Sequence, residues 1–342
     1  MCPFAARIPS SAVLLLALLG VAMPLAAQAP SSRTPGLTLG TPAAAATGGG
    51  DLPAPVGVVT QPEIAYFLFP LAGDRAHLRY APGSLDRAAN LQTRLELSAR
   101  QLEKWLDEPV NLRAHVLDRD HWQRARIDVP YGVPRRFDDG GILAPARGDE
   151  TSVDLWRQLM GGPLPTVRGR PLIGTPQAAA VVAIADILVQ VQVGQILVDA
   201  LGYTSDAPWV NGVAAHTIAL GLSQKLEGTG RLAGLDAFWD RLGARHAPRT
   251  WSDRDERGAL SLPDWLWFQA QYHRGARALL AAENDRGKRA VKRLRRVRMS
   301  DGGPLSAERM RLEYPALDDW HRATFTAVSV RNPGRATAPE TP

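Results

Sequence analysis

Between residues 76 and 117 the hydrophobic pattern changes period twice. Ala76 to Tyr80 reads as a short strand, Pro82-Gly83 turns the chain, and Ser84 stands where it can cap a helix running to about Asp107. Along that helix Leu91, Leu95, Leu102 and Leu106 recur at helical spacing, and Val110 to Leu117 then returns to the alternation of a strand. His121 to Ala125 predicts a short helical turn. Tyr131 to Ala146, with Gly132, Pro134 and the Gly140-Gly141 pair, predicts a bent strand pair ending in Ile142-Leu143-Ala144-Pro145. Strands alternating with a helix make residues 61–174 a small mixed α/β unit.

From residue 175 to 331 the pattern is mainly helical, so the expected fold class is α+β. Thr175 can cap, Pro176 suits a first helical position, and an apolar run continues to Leu201 before Gly202 closes it. The run is long enough to raise the question of a membrane span. Asp186, Gln190, Gln192 and Gln195 would be costly in lipid, whereas neighbouring elements can satisfy them in a helix at a domain's centre, which is the expectation here. Val210 to Leu226 and Leu235 to Leu242 predict two further helices. Ser261 and Pro263 start a fourth, whose Trp265, Phe268, Tyr272, Ala276 and Leu279 share one face and read as core.

Composition changes the picture at the ends. Arg7 precedes the apolar run Ala12 to Ala26, which is too short to span a bilayer, and Ala27-Gln28-Ala29 offers small residues at a cleavage point. Residues 1–29 are therefore expected to be a signal peptide of an exported, periplasmic or secreted bacterial protein. Residues 30–60, rich in Ala, Pro, Gly, Ser and Thr, are expected to be a flexible linker, and 332–342 a disordered tail. Cys2, the only cysteine, falls in the signal, so neither a disulfide nor a thiolate ligand is expected in the mature chain.

The formal net charge of +6 is unevenly placed. Arg286 to Arg298 carries Arg286, Lys288, Arg289, Lys292, Arg293, Arg295, Arg296 and Arg298, interrupted every third residue by Val291, Leu294 and Val297. That spacing fits a helix docked by a narrow apolar stripe with its basic side in water. The functional alternative is an anion-binding face using Lys292, Arg293, Arg295 and Arg296, with anionic lipid or surface glycan as partner; export makes nucleic acid the poorest fit.

Two segments carry the candidate chemistry. Val191-Gln192-Val193-Gly194-Gln195 occupies the apolar helix, and Trp209-Val210-Asn211-Gly212-Val213-Ala214 opens the next. They resemble the two metal-binding helices of a gluzincin zinc peptidase, HExxH followed by W-[LF]-x-E-G, with the ligands gone. The chain as a whole resembles the peptidase MA-like, gluzincin-type (thermolysin-like) domain over roughly residues 75 to 325. Besides the two motifs, HLRYAPGS, DRDHWQRA, YGVP, ILAPA, WLWFQAQYHRGARALL and YPALDDW follow in the family's order. The resemblance implies that the strand ending near Ala146 is an edge strand along the substrate cleft. It puts the two zinc histidines at Val191 and Gln195, the catalytic Glu at Gln192, and the third ligand at Asn211 or a gap beside it. Gly194 and Gly212 match, and imply close packing of the two helices where the metal would sit.

Valine has no lone pair to offer, and neutral amides neither bind a dication strongly nor titrate as a general base. No catalytic zinc and no other cofactor is expected, and the site is expected to have become a packed polar pocket. Among the seven histidines, His216 lies about one turn beyond Asn211 and is a candidate to meet Asp199 across the helix pair, and His273 is a candidate transition-state donor of an active relative. The others show no ligand spacing, and no G-x-S-x-G elbow, phosphate loop or dinucleotide fingerprint occurs. The expected function is that of an exported non-catalytic relative of the metallopeptidases, binding a peptide or cell-envelope component through the remnant cleft. Alternatives are a surface-associated protein using its basic helix, and a hydrolase rewired around Asp199, His216 and His273.

Overall fold

A computed structural model describes residues 37–38, 58–59, 68–125, 127, 129–137, 140–164, 176–203, 205, 207–227, 229–246, 260–284, 286–301 and 305–326. The expected signal, nearly all of the linker, Thr175 and the tail lie outside them. The described residues form a mixed α/β structure dominated by helices, which fits the α+β class. Contacts divide the chain into Met1–Thr34 and Pro35–Pro342, and everything described below belongs to the second unit.

The first described elements are the strands β1 (Leu37–Thr38), β2 (Val58–Val59), β3 (Phe69–Leu71) and β4 (Ala76–Tyr80), followed by helix α1 (Leu85–Leu106) and strand β5 (Val110–Leu117). A short helix α2 (Arg119–Arg124), strands β6 (Arg135–Phe137) and β7 (Ile142–Pro145), and helix α3 (Glu150–Met160) complete this part. The sheet order is β2-β6-β7-β5-β4-β3, and β1 meets the start of β5 at Leu37↔Val110. Strands β4, β5 and β7 run parallel, as a helical crossover such as α1 requires, while β3 is antiparallel to β4, β6 is antiparallel to β7, and β2 runs parallel to β6. β7 pairs with β5 on one side and β6 on the other, so Ile142–Pro145 is an inner strand, not the edge the family resemblance implied. Its sequence fits that place, since all four residues are buried and a strand buried on both faces reads as a continuous apolar run.

Each periodicity is visible in burial. Val110, Leu112, Ala114 and Val116 of β5 are fully buried, and Leu91, Leu95, Leu102 and Leu106 of α1 pack in the same cluster. Ser84 precedes α1 as anticipated, but its hydroxyl makes no capping bond; Asp107 ends the helix in the left-handed region with its N–H bonded to the Glu103 carbonyl.

The second half contains α4 (Pro176–Ala200), α5 (Pro208–Glu227), α6 (Thr229–Arg245), α7 (Leu262–Ala282), α8 (Gly287–Asp301), α9 (Ala307–Glu313) and α10 (Pro315–His321), then a π-helical turn at Arg322–Thr326. By length and composition Gln177–Ala200 could cross a membrane, and 72% of its most apolar window is buried inside the fold. The reason is position: α4 stands between two apolar clusters. Val189, Val193, Ile196 and Leu197 join the cluster containing β5 and α1, and Val181, Ile184, Leu188 and Val191 join one with Trp156, Phe238, Trp239 and Trp265. A helix enclosed on opposite sides must be apolar nearly all round.

Two polar side chains of α4, Asp186 and Gln190, are met by α1. Arg87 Nη2 lies 2.6 Å from Asp186 Oδ1, Arg94 approaches the same carboxylate and also pairs with Glu227 of α5, and Gln190 Nε2 donates to Ser98 Oγ at 3.2 Å. Asp186 and Gln190, four residues apart, thus share the face turned to α1. Asp186→Ala would leave Arg87 largely buried without its closest partner and should cost about 3 kcal/mol in urea unfolding. Adding Arg87→Ala should cost less than the sum of the two single changes, and strict additivity would show that the pair does not couple.

Candidate functional site

The two helices that carry the zinc-site resemblance meet at their backbones. An ideal Cβ on Gly194 would lie 2.2 Å from the Ala215 carbonyl oxygen of α5, a distance no real side chain tolerates. Gly194 therefore makes the close α4–α5 approach expected of it. Gly212 does something different: a Cβ there would meet the Tyr272 ring of α7 at 2.2 Å, so this glycine admits α7 rather than α4.

The positions matched to ligands serve packing. Val191 is 2% exposed and belongs to the apolar cluster with Leu188, Ala219 and Trp239. Gln192 is buried and Gln195 half-buried. Asn211 accepts from the Ser205 N–H through Oδ1 at 2.7 Å and donates from Nδ2 to the Ser205 carbonyl at 3.1 Å. That double clasp closes the connection between α4 and α5, and it needs a donor and an acceptor on one side chain. A glutamate, the family's residue here, could not donate when ionised. The connection begins with Gly202 at φ +61°, where Gly202 N–H bonds to Asp199 and Tyr203 N–H to Val198, the paired bonds of a Schellman helix end. On the Val191 side the region is apolar rather than the polar pocket anticipated.

The rewired alternative is only partly assembled. Asp199 is half exposed and pairs with Arg136 of β6, whereas His216 is buried and hydrogen-bonded to Gln269, so the two are not partners. His216 and His273, by contrast, come together with ring centroids 6.0 Å apart, walled by Trp239 and Tyr272. Because Gln269 Oε1 and Asp236 Oδ1 only accept, each imidazole donates from Nε2, at 3.1 and 2.7 Å respectively. Burial pushes His216 down to about 3, aided by repulsion from His273 and opposed by Gln269. Burial also lowers His273, against the pull of Asp236. Both rings are therefore neutral near pH 7, and the His273–Asp236 contact is a hydrogen bond to a carboxylate rather than an ion pair. Fifty-odd residues separate the two histidines, and no local spacing could have joined them; nor did anything local mark Asp236 or Gln269.

A second polar group lies beyond the ends of β5 and β7. Asp118 accepts from the His121 N–H and from its Nδ1 at 2.7 Å, and Arg119 makes a paired contact with Asp149, one arm at 2.8 Å. Burial opposes charge on both carboxylates, but His121 on one and Arg119 with Ser152 on the other outweigh it and hold both below the usual range. Tyr131, pushed up to about 12 by burial, donates to the Arg147 carbonyl. Asp118 and Asp149 are the caps of α2 and α3, which accounts for this arrangement as helix termination. The signal was present in the spacing Asp118-x-x-His121 and Asp149-x-x-Ser152.

The four basic candidates also separate. Lys292 lies 3.2 Å from Asp107; Arg293 binds Glu283 at 2.8 Å and Glu313 at 3.2 Å; Arg295 binds Glu108; Arg296 is exposed. Among the described residues no three His, Cys, Asp or Glu side chains are grouped as a metal would need. In comparisons with known proteins, the chain matches no family model, no curated protein and no solved structure.

Gly194→Ala should destabilise the fold by at least about 2 kcal/mol, since its methyl meets backbone rather than a movable side chain; an unchanged urea midpoint would contradict the contact. Acidification provides a second check. Above about pH 6.5 His216 and His273 are neutral whether the chain is folded or not, and their contribution is complete. Below it the unfolded chain takes up protons that the folded state refuses, so stability is lost as pH falls from 6.5 toward the lowered folded values. Each histidine contributes a slope approaching ~1.4 kcal/mol per pH unit, and His216→Gln should flatten the profile between pH 6 and 4.5.

Proposed function

We propose that the protein is an exported, non-catalytic relative of the peptidase MA-like metallopeptidases, acting by binding a peptide or cell-envelope component rather than by hydrolysis. The observation that carries this reading is the use made of the matched positions. Val191 is a core side chain, Gly194 is pressed against the Ala215 backbone, and Asn211 is committed to the Ser205 clasp. The roles of Val191 and Asn211 exclude those the family assigns: a hydrocarbon cannot ligate a dication, and an amide closing a loop is not free to turn toward one. The ordered motifs along the chain support descent, and the two-helix contact supports a scaffold kept after the chemistry was lost. A ligand would then be held by surfaces around the α4–α5 crossing, because the crossing itself is filled.

The rewired-hydrolase reading has less support. Its Asp199 and His216 have separate partners, and the buried His216 and His273 give their Nε2 protons to Gln269 and Asp236.

Zinc analysis tests the reading directly. After exposure to zinc and exhaustive buffer exchange, the purified protein should retain well under one ion per chain and should leave unstructured casein uncut. Stoichiometric zinc, lost on Gln195→Ala or Asn211→Ala, would overturn it, as would cleavage abolished by His273→Ala.

A further inference from the structure

We propose that the outward row Lys288, Lys292 and Arg296 of α8 is a docking face for an anionic lipid bilayer, an inference independent of the peptidase-like reading. Spaced four residues apart, these cations fall on one side of the helix, about 6 Å from one to the next. The opposite side is buried through Ala290, Val291, Leu294 and Val297. The helix cannot roll, because its flanking arginines are tied down. Arg293 reaches Glu283 and Glu313, Arg289 lies 2.7 Å from the other oxygen of the fully buried Glu283, and Arg295 binds Glu108 and the Leu106 carbonyl.

These clamps divide six of the segment's eight cations into two populations. Arg289, Arg293 and Arg295 have carboxylate partners within the fold and hold α8 in place. Lys288 and Arg296 are exposed and make no ion pair among the described residues, and Lys292 touches only Asp107, whose carboxylate is 77% exposed and worth little as a partner. A row of uncompensated charge on a convex helix offers no concavity for a small anion, but it meets many headgroups at once on a flat surface. The neighbouring α9, joined to α8 through Arg293 and Glu313, carries Leu312 at 70% exposure, the most exposed large apolar side chain described. An exposed leucine on the helix joined to the basic one suits an acyl boundary and has no counterpart on a hydrated polyanion.

The test uses the full chain in sedimentation with vesicles of phosphatidylcholine alone or mixed with phosphatidylglycerol, at low and high salt. Binding is expected only to the anionic vesicles, falling at least tenfold at high salt. The triple change Lys288→Gln, Lys292→Gln and Arg296→Gln should weaken it about a hundredfold with an unaltered melting temperature. Leu312→Ser should lower the salt-resistant remainder. Arg293→Gln, a clamp residue, should instead lower the melting temperature. No sedimentation with anionic vesicles, equal binding to neutral ones, or binding untouched by the triple change would overturn the proposal. So would capture by heparin without capture by vesicles, which would assign the row to a soluble polyanion.

Discussion

At Gly194 the α4 backbone runs so close to the Ala215 carbonyl that only a hydrogen fits between them, and the remaining architecture is arranged around that contact. Two helices this close present a shared apolar wall on each side, and each wall needs covering. The sheet with α1 covers one, and α3, α6 and the start of α7 cover the other. An α4 able to satisfy both must lose ordinary amphipathicity, and its few polar residues must then find partners from another element. Arg87, Arg94 and Ser98 of α1 supply them. A composition that resembles a membrane segment thus follows from central position in a folded unit, with the Asp186 charge compensated rather than exposed to hydrocarbon.

The same contact limits what the two segments that resemble a zinc site can do. A metal centre built between two helices needs them apart by the reach of their ligands, with donors pointing inward. Here the separation is that of backbone touching backbone, and the residues at the crossing are engaged within the fold. Val191 completes the second apolar cluster, Gly212 receives Tyr272, and Asn211 fastens the connection with a donor and an acceptor that a carboxylate could not both provide. Placing a metal ligand at Val191 or Asn211 would remove an interaction that the fold uses.

What could be seen in the chain beforehand follows from how local each feature is. The α1 leucines, the alternation of β5 and the start of α7 at Ser261 and Pro263 depend on neighbours within one turn or one pleat, and all stand where the local pattern put them. The position of β7 within the sheet was not legible, because a short buried run is compatible with any parallel place and the inner pairing depends on β6, a three-residue strand. Nor was the meeting of His216 with His273, which needs α5, α6 and α7 already packed. Asp199 shows the converse: a helical spacing that seemed to aim it at His216 gave way to Arg136, brought alongside by the sheet.

Charge follows the same division. Eight cations within thirteen residues look alike in sequence, yet their meaning depends on carboxylates contributed from elsewhere: Asp107 and Glu108 after α1, Glu283 at the end of α7, and Glu313 of α9. Of these, Glu283 is decisive. Burying a carboxylate completely is tolerable only with partners at hand, so the α7 terminus and α8 must dock together, with Arg289 and Arg293 drawn inward. Once those arginines serve the fold, helical geometry leaves Lys288, Lys292 and Arg296 on the far side, where among the described residues only the exposed Asp107 makes an ion pair. These three charges therefore form an outward line, oriented by the buried Glu283 contacts beneath it.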